Sequence, residues 1–218
     1  MTHGIHTHAH APQTEGHTIH WAKYYDLTVQ LLTLGQSKKL RAWTIDAAQI
    51  RAGDSVLDVG CGTGELTRLA KRAAGETGSV FGIDASPEMI EVARANAADE
   101  KLNIEFRLEP IEQLSFADNS FDVVLSSLMM HHLPDNLKRA GLREIYRVLK
   151  PGGRVVIVDL KSPDSGLERF ISHLMAHGGM RRGVQDLPAL MQEVGLVNLE
   201  FRAARAPMLG RVRGEKRA

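Results

Sequence analysis

The sequence predicts an α/β fold, a doubly wound and mostly parallel sheet with helices on both faces. Three observations support this prediction. Short apolar runs typical of buried strands alternate with segments of helical periodicity through the middle of the chain. A cluster of glycines follows the first of these runs, as expected where a strand turns sharply into a helix. The length of 218 residues suits one domain with a substantial core.

The predicted strands are runs of apolar residues bounded by turn-forming residues. Five of them lie in the middle of the chain, at 54–59, 79–84, 103–108, 121–126 and 154–159. A final pair is predicted at 197–203 and about 208–213. Parallel strands need crossover connections, so the helices between them are expected to cover the sheet.

The predicted helices have apolar residues spaced three and four apart. They lie within 21–50 with a break near Gly35, at 65–74, after Ser86, before Pro151, and at 187–194. Ser86 is expected to cap its helix, since Pro87 and an acidic first turn follow it. In a sheet of this kind, ligands bind beyond the carboxyl ends of the strands. The ends of the first four strands are therefore the places to expect a site.

Composition excludes some classes of protein and leaves others open. The formal net charge is +1, and no RNA-binding module or aromatic-basic patch is present, so we predict no nucleic-acid partner. The basic run 211–217 is interpreted as a solvated end. No apolar run is long enough to span a bilayer, although peripheral membrane contact stays open. The only cysteine is Cys61, which fits a cytoplasmic protein; a monomer and a homodimer are both open.

The glycine cluster 58–64 has the chemistry of a cofactor loop. Its spacing is G-x-G-x-G, whereas the dinucleotide fingerprint is G-x-G-x-x-G. Asp58 stands two residues before Gly60, where a carboxylate would repel a pyrophosphate but attract an ammonium group. Asp84 ends the second strand, where a carboxylate can accept both ribose hydroxyls. These features favour a nucleoside ligand with a cationic end over a dinucleotide.

Four segments at matching spacing, 56–64, 82–89, 119–124 and 147–153, resemble successive motifs of class I S-adenosylmethionine (SAM)-dependent methyltransferases. Within that class the chain is most similar to the ubiquinone/menaquinone C-methyltransferase-like (methyltransferase type 11) group. The resemblance implies a Rossmann-like sheet of about seven strands with the last one antiparallel. It also implies SAM as cofactor and S-adenosylhomocysteine (SAH) as product.

The resemblance implies a role for several positions. Asp58, Gly60 and Gly62 would hold the amino-acid end of SAM, Asp84 the ribose, and the Ser126 carbonyl the ammonium group. Met89 would pack near the adenine, although its spacing also fits plain core packing. The full set of predicted cofactor-binding residues is Tyr25, Asp58, Gly60, Cys61, Gly62, Asp84, Ala85, Met89, Pro110, Ile111 and Ser126.

One position departs from the family pattern. An aspartate after the third strand often bonds the adenine amino group, and Pro110 stands there in this chain. Proline supplies neither a side-chain acceptor nor an N–H. Either Glu109 substitutes for the aspartate, or the N–H of Ile111 recognises adenine alone.

We predict that the chain consists of a flexible leader and one domain, which has the resemblance described above. The leader, 1–20, carries six histidines but no acidic or cysteine ligand pattern, so no metal site is predicted. The domain, 21–218, is expected to contain a helical lid at 21–50 and a cofactor-binding core at 51–160. An acceptor-side lid and the C-terminal strands would follow at 161–218.

We predict methyl transfer from SAM to a small hydrophobic acceptor, such as a quinone precursor, a lipid or a secondary metabolite. His131 is the leading candidate for a general base because it follows the fourth strand, where acceptors bind in this fold. His132 is a weaker candidate, and both histidines could instead only shape their loop. Two other functions stay open, a non-catalytic SAM-binding protein and a nicotinamide-dependent oxidoreductase.

Overall fold

A computed structural model describes residues 37–162, 183–204 and 209–218 of the chain. The histidine-rich leader, most of the predicted N-terminal lid and a large part of the acceptor-side lid lie outside these residues. Tyr25 is among the positions outside the described part. None of the helices that the structure describes has the length and apolar character needed to cross a membrane.

Five α-helices and seven strands make up the described part of the chain. The helices are α1 (Ser37–Ala48), α2 (Glu65–Ala74), α3 (Pro87–Asp99), α4 (Asp135–Val148) and α5 (Leu187–Glu193). The strands are β1 (Ser55–Val59), β2 (Ser79–Asp84), β3 (Glu105–Leu108), β4 (Phe121–Ser127), β5 (Leu149–Leu160), β6 (Leu196–Ala203) and β7 (Leu209–Lys216).

All seven strands form one sheet in the order β3-β2-β1-β4-β5-β7-β6. The ladders from β3 to β5 are parallel, and β7 runs antiparallel to both of its neighbours. This confirms the predicted mostly parallel sheet with an antiparallel last strand. The strand order reverses between β1 and β4, and ligands bind at such a switch point in open α/β sheets.

Apolar side chains cover both faces of the sheet. On one face, α1 and α2 pack over alternate strand residues that include Val56, Leu125 and Val158. On the other face, α4 and α5 cover Leu57, Val124 and their neighbours. Because both faces are buried, the strands appear in the sequence as continuous apolar runs rather than alternating ones.

The local signals at the start of α3 act as predicted. The Ser86 hydroxyl accepts a hydrogen bond from the Met89 N–H at 3.4 Å, with Pro87 in the first helical position. Helix α2 has the predicted bounds, and β2 also matches its predicted range. The boundaries of these elements are set by neighbouring residues in the sequence, because each depends on a capping residue or a glycine beside it.

Four predicted bounds are wrong by two or more residues. The fifth strand begins at Leu149 rather than at 154. The third strand begins at Glu105 rather than at 103. Helix α4 ends at Val148, before the predicted stop at Pro151, because Leu149 already pairs with Phe121 of β4. The last strand continues past 213 to Lys216, since it pairs with β5 and β6 over that length.

The interpretation of 211–217 as a solvated end is also wrong. Most of this run belongs to β7, which is inserted between β5 and β6 and is therefore an inner strand. Arg211 is only 5% exposed. The charge run misled the prediction because its basic residues alternate with Val212 and Gly214, which fill the opposite face of the strand.

Candidate functional site

The glycine loop after β1 depends on backbone conformations that side chains disfavour. Gly60, Gly62 and Gly64 have φ values of 71°, 53° and 78°. A Cβ added at Gly60 would lie 2.3 Å from Cγ of Met129, so the β4 side of the site packs directly against this loop. The Gly60 N–H donates to the Ile83 carbonyl at 2.9 Å, which ties the loop to β2. The loop is thereby held close to the strand ends.

Asp58 lies beneath this loop as a buried carboxylate, 1% exposed. Its Oδ2 accepts a hydrogen bond from the Thr67 hydroxyl at 2.6 Å. Burial raises the pKa of Asp58 to about 7; repulsion by Asp84 adds to the rise, while the Thr67 bond and Arg41 oppose it. Arg41 does not pair with Asp58, because it bonds Glu65 at 3.0 Å. The site therefore contains a buried acid suited to a cationic group.

Asp84 faces the same loop from the end of β2. Its Oδ2 accepts from the Gly62 N–H and its Oδ1 from the Ser86 N–H, each at 2.9 Å. Burial raises the pKa of Asp84, and hydrogen bonds from Ser86, Gly62 and Ala85 partly offset the rise. These N–H groups fix the carboxylate in position and leave further lone pairs for hydroxyl groups.

Cys61 contributes to the loop through its backbone. Its N–H donates to the Ile83 carbonyl at 2.9 Å. Its side chain is buried in the apolar cluster with Ile90 and Phe106, and burial raises the pKa of the thiol. A buried thiol of raised pKa is a packing residue rather than a nucleophile.

The positions predicted to surround adenine lie at the ends of β2 and β3. Met89 is 2% exposed in the first turn of α3. Pro110 follows β3, and the side chain of Ile111 is buried in the main core. Glu109, the suggested substitute for the family aspartate, is bound elsewhere, because its carboxylate accepts from the N–H and the hydroxyl of Ser115. The geometry therefore favours the Ile111 N–H over Glu109 as the adenine contact.

Ser126 is the first residue of β4 beyond its pairing with β1. The ladder between β1 and β4 ends at the pair Asp58–Leu125, whereas the ladder to β5 continues to Ser127–Val158. Ser126 is fully buried, and its hydroxyl has no hydrogen-bond partner among the described residues. A buried polar atom of this kind calls for a further partner.

His131 is fixed in a 3₁₀ turn, Met130–His132, just after β4. Its Nδ1 lies 2.5 Å from Oδ1 of Asp159, and its backbone N–H donates to Oδ2 at 3.0 Å. Burial would raise the pKa of Asp159, but attraction to His131 and hydrogen bonds from His131 and Leu160 lower it instead. When Nδ1 donates to this carboxylate, the lone pair of the imidazole is on Nε2.

Helix α1 closes one side of the cleft. Leu40 and Arg41 line it together with Asp58, the glycine loop, and Ser127 and Leu128 from the end of β4. The described residues contain no group of three or more potential metal ligands, and the absence of a metal site stays a prediction. The cleft thus brings Asp58 and the glycine loop beside the end of β4, and Asp84 of β2 contacts the loop at Gly62.

Comparisons with known proteins agree with this arrangement. The family described as "Methyltransferase domain" matches residues 56–153. The ubiquinone/menaquinone biosynthesis C-methyltransferase UbiE of an Enterobacter species is 30% identical over 220 residues, covering 89% of this chain and 87% of the relative. The chain belongs to this family of SAM-dependent methyltransferases. The protein of the same name from Hahella chejuensis is 39% identical over 144 residues, 65% of this chain and 57% of that one.

Solved structures support the fold of this methyltransferase. A SAM-dependent methyltransferase from Aquifex aeolicus has a TM-score of 0.68 at 20% identity, covering 87% of this chain and 97% of that one. At this identity the likeness concerns the fold. The family match and the curated relatives confirm the predicted class, cofactor and enzyme type, and the solved structure confirms the fold.

The residues of the cleft fit SAM. Asp58 is a buried carboxylate without an ion pair among the described residues, which suits an ammonium group. Asp84 has its carboxylate fixed by two backbone N–H groups, which suits ribose hydroxyls. The loop has no Cβ at Gly60 or Gly62, so a ligand can approach its backbone closely.

Three residues that position the site were missed by the sequence-based prediction. Thr67 bonds Asp58, Asp159 holds His131, and Arg41 links α1 to α2. Asp159 carried a usable signal, because like Asp58 and Asp84 it lies at or next to the end of a buried strand. Thr67 and Arg41 carried none, since their roles depend on contacts between separate elements.

Proposed function

We propose that this methyltransferase transfers a methyl group to a small hydrophobic acceptor, with a quinone precursor as the first candidate class and lipids or secondary metabolites as others. The observation that carries the proposal is an apolar wall beside the cofactor cleft. It consists of Leu128, Leu160, Leu209 and Trp43, which pack in one cluster. Leu128 also lines the cleft itself. The names of the curated relatives, ubiquinone/menaquinone C-methyltransferases, support a quinone-like acceptor.

The proposed cofactor contacts follow the geometry of the cleft. Asp58 and the Ser126 carbonyl would receive the ammonium group, and the loop at Gly60, Cys61 and Gly62 would hold the amino-acid end. Asp84, with the adjacent Ala85, would bind the ribose. Met89, Pro110 and Ile111 would surround the adenine, and Tyr25 would close the site from a position outside the described residues.

His131 is proposed as the general base. Bound SAM supplies an activated methyl group on its sulfonium, so the protein mainly has to orient the acceptor. As the acceptor atom bonds to the methyl carbon and the carbon–sulfur bond breaks, the proton lost by the acceptor would pass to Nε2 of His131. Asp159 keeps the ring oriented through Nδ1 and stabilises the resulting imidazolium.

An acceptor screen that follows SAH release tests the proposal. The panel contains quinols, phenols, lipids and polyketide-like aromatics. We expect turnover with an apolar aromatic acceptor and none with SAM alone. Release of SAH only with polar or macromolecular acceptors would contradict the proposed substrate class.

Two matched variants test the base. H131A is expected to lower kcat by about 100-fold or more, with SAH affinity unchanged. H132A removes the ring whose centroid lies 3.9 Å from that of His131 and is expected to cost far less. A larger loss of kcat in H132A than in H131A would reassign the base to His132. Equal kcat in H131A and the wild type would mean that His131 only shapes its turn.

D84A tests the cofactor contacts separately. We expect it to abolish measurable SAH binding by calorimetry, because two backbone N–H groups and the ribose lose their acceptor. Unchanged SAH affinity would contradict the proposed ribose contact.

The cytoplasmic location and the choice between monomer and homodimer also remain proposals. Only the cytoplasmic location has support, from the single buried Cys61.

A further inference from the structure

Arg211 is a buried cation with no counter-charge among the described residues. Its side chain lies in β7, and the residue is 5% exposed. Among the described residues, its Nε has no hydrogen-bond partner, and the ion pairs of the neighbouring arginines do not include Arg211. Arginine is almost never buried in this way without a pair, because removing its charge from water is costly.

The acidic residues that influence Arg211 are not bound to it. Burial lowers the pKa of Arg211 below its usual value, and repulsion by Arg202 and Arg213 adds to the fall. Attraction to Glu200 and Asp46 opposes it. The Glu200 carboxylate bonds Arg202 instead, with Nε and Oε1 2.5 Å apart. The one partner of Arg211 in the described residues is the ring of Trp43, whose centroid lies 4.9 Å from Cζ.

Arg211 lies beside the apolar wall of the acceptor site. Its residue pair in β5 is Val158, whereas the next pair toward the cleft, Leu160–Leu209, belongs to the wall. One such step along the strand is about 7 Å. Trp43 belongs to the wall and also covers Arg211. A ligand lying on this wall would therefore have a guanidinium at its inner end.

We infer that Arg211 and Trp43 form an anion subsite within the acceptor site, and that the acceptor is an apolar, ring-bearing compound with a carboxylate or phosphate group. This inference rests on the proposed small-molecule function and narrows its substrate class. The guanidinium presents a planar set of N–H donors that matches either anion. The Trp43 ring both orients the guanidinium and offers a flat apolar surface to the rest of the ligand.

The first experiment compares anionic and neutral probes of one shape. Binding of 2-naphthoate, 2-naphthyl phosphate and 2-naphthamide to the full-length, SAH-loaded enzyme is measured by calorimetry. We expect at least one anion to bind about tenfold or more tightly than the amide. The tighter of the two anions identifies the acceptor group as carboxylate or phosphate. Equal affinity for all three probes would overturn the anion subsite and leave the apolar acceptor site standing, whereas no binding of any probe would overturn both.

Two variants test whether the preference for anionic probes depends on Arg211. R211M is expected to remove the preference for the anion and to leave affinity for 2-naphthamide and SAH unchanged. R202M removes the same charge from the neighbouring strand, at a side chain that is 63% exposed, and is expected to keep the preference. An equal loss in both variants would show a long-range charge effect and overturn the assignment to Arg211.

Thermal stability separates this role from a structural one. Without ligand, R211M is expected to melt at the same temperature as the wild type or higher, because a buried unpaired charge is removed. A lower Tm in R211M would mean that the guanidinium already has a partner within the folded chain. That result would overturn the subsite even if the probes bind.

Discussion

Asp58 and Arg211 lie on the same face of the sheet, in strands β1 and β7, and the two are alike in an unusual way. Each is a buried charge, at 1% and 5% exposure, without an ion pair among the described residues. In each case one nearby opposite charge is already bound, since Arg41 pairs with Glu65 and Glu200 pairs with Arg202.

The difference between them lies in the remaining neighbours. Asp58 keeps one strong neutral hydrogen bond from Thr67, and its carboxyl can become neutral because its pKa is raised to about 7. Arg211 has an aromatic ring in place of a hydrogen bond and has no comparable way to lose its charge near neutral pH. A buried acid can therefore tolerate an absent ligand by binding a proton, whereas a buried guanidinium depends on an anion.

Among the variants that test the buried acids Asp58 and Asp159, D58N is expected to have the largest effect, on cofactor affinity. Replacing the carboxylate by an amide of the same shape removes the charge that the ammonium group needs. We expect SAH to bind about 100-fold more weakly, measured by calorimetry at pH 8. D99N, the same change at an exposed position of α3, is the control. Equal SAH affinity in D58N and the wild type would show that the charge of Asp58 does not hold the ammonium group.

The pH dependence of Asp58 gives the next effect. The pKa of Asp58 is about 7 in the folded state and 3.8 for an ordinary aspartate. Between these two pH values, the folded state therefore binds one proton more than the unfolded state does. Unfolding free energy therefore falls as pH rises from about 4 to about 7, by up to about 4 kcal/mol. D58N should match the wild type below pH 4 and be more stable above pH 7. SAH affinity of the wild type should fall by up to about tenfold per pH unit below pH 7.

Chemical denaturation across this pH range, with SAH titrations beside it, checks both parts. A wild-type SAH affinity that stays constant between pH 5 and pH 8 would contradict the raised pKa. Asp58 would then be charged over this whole pH range, as Arg211 is.

T67V should produce a smaller shift of the same kind. The Thr67 hydroxyl donates to Asp58 at 2.6 Å and lowers its pKa, and valine has nearly the same shape without the donor. We expect the midpoint of the pH profile for SAH affinity to rise by about one unit. T44V changes a buried threonine whose hydroxyl donates to the Leu40 carbonyl at 2.9 Å, and it serves as the control for β-branched packing. A midpoint that moves down instead would reverse the assigned role of Thr67.

D159N should have the smallest effect, with the opposite sign in stability. Asp159 is as buried as Asp58 but is paired with His131, so its pKa is lowered. Its stabilisation is present at neutral pH and is lost as the pH falls through and below about 4. We expect D159N to lower the free energy of unfolding by about 1 kcal/mol at pH 7, with the difference closing in acid. A gain in stability at pH 7 would show that Asp159 is no better paired than Asp58.

The sequence predicts the cofactor half of this molecule better than the acceptor half. Gly60, Asp58 and Asp84 lie beside one another in the chain or at the ends of adjacent strands, so strand order alone brings them together. The pairing of His131 with Asp159 joins residues 28 positions apart, and its only local signal is an aspartate near the end of a buried strand. Arg211 was misjudged because charge density predicts exposure, whereas strand order decides it here.

Helix α1 lies beside the cofactor cleft and beside the proposed acceptor site. Leu40 and Arg41 line the cofactor cleft, and Trp43, less than one turn away, lies on Arg211. A movement of this helix that admits one ligand must displace a wall of the other site. The two binding equilibria should therefore be coupled, and thermodynamic reciprocity makes the factor by which cofactor changes acceptor affinity equal to the factor in the reverse direction.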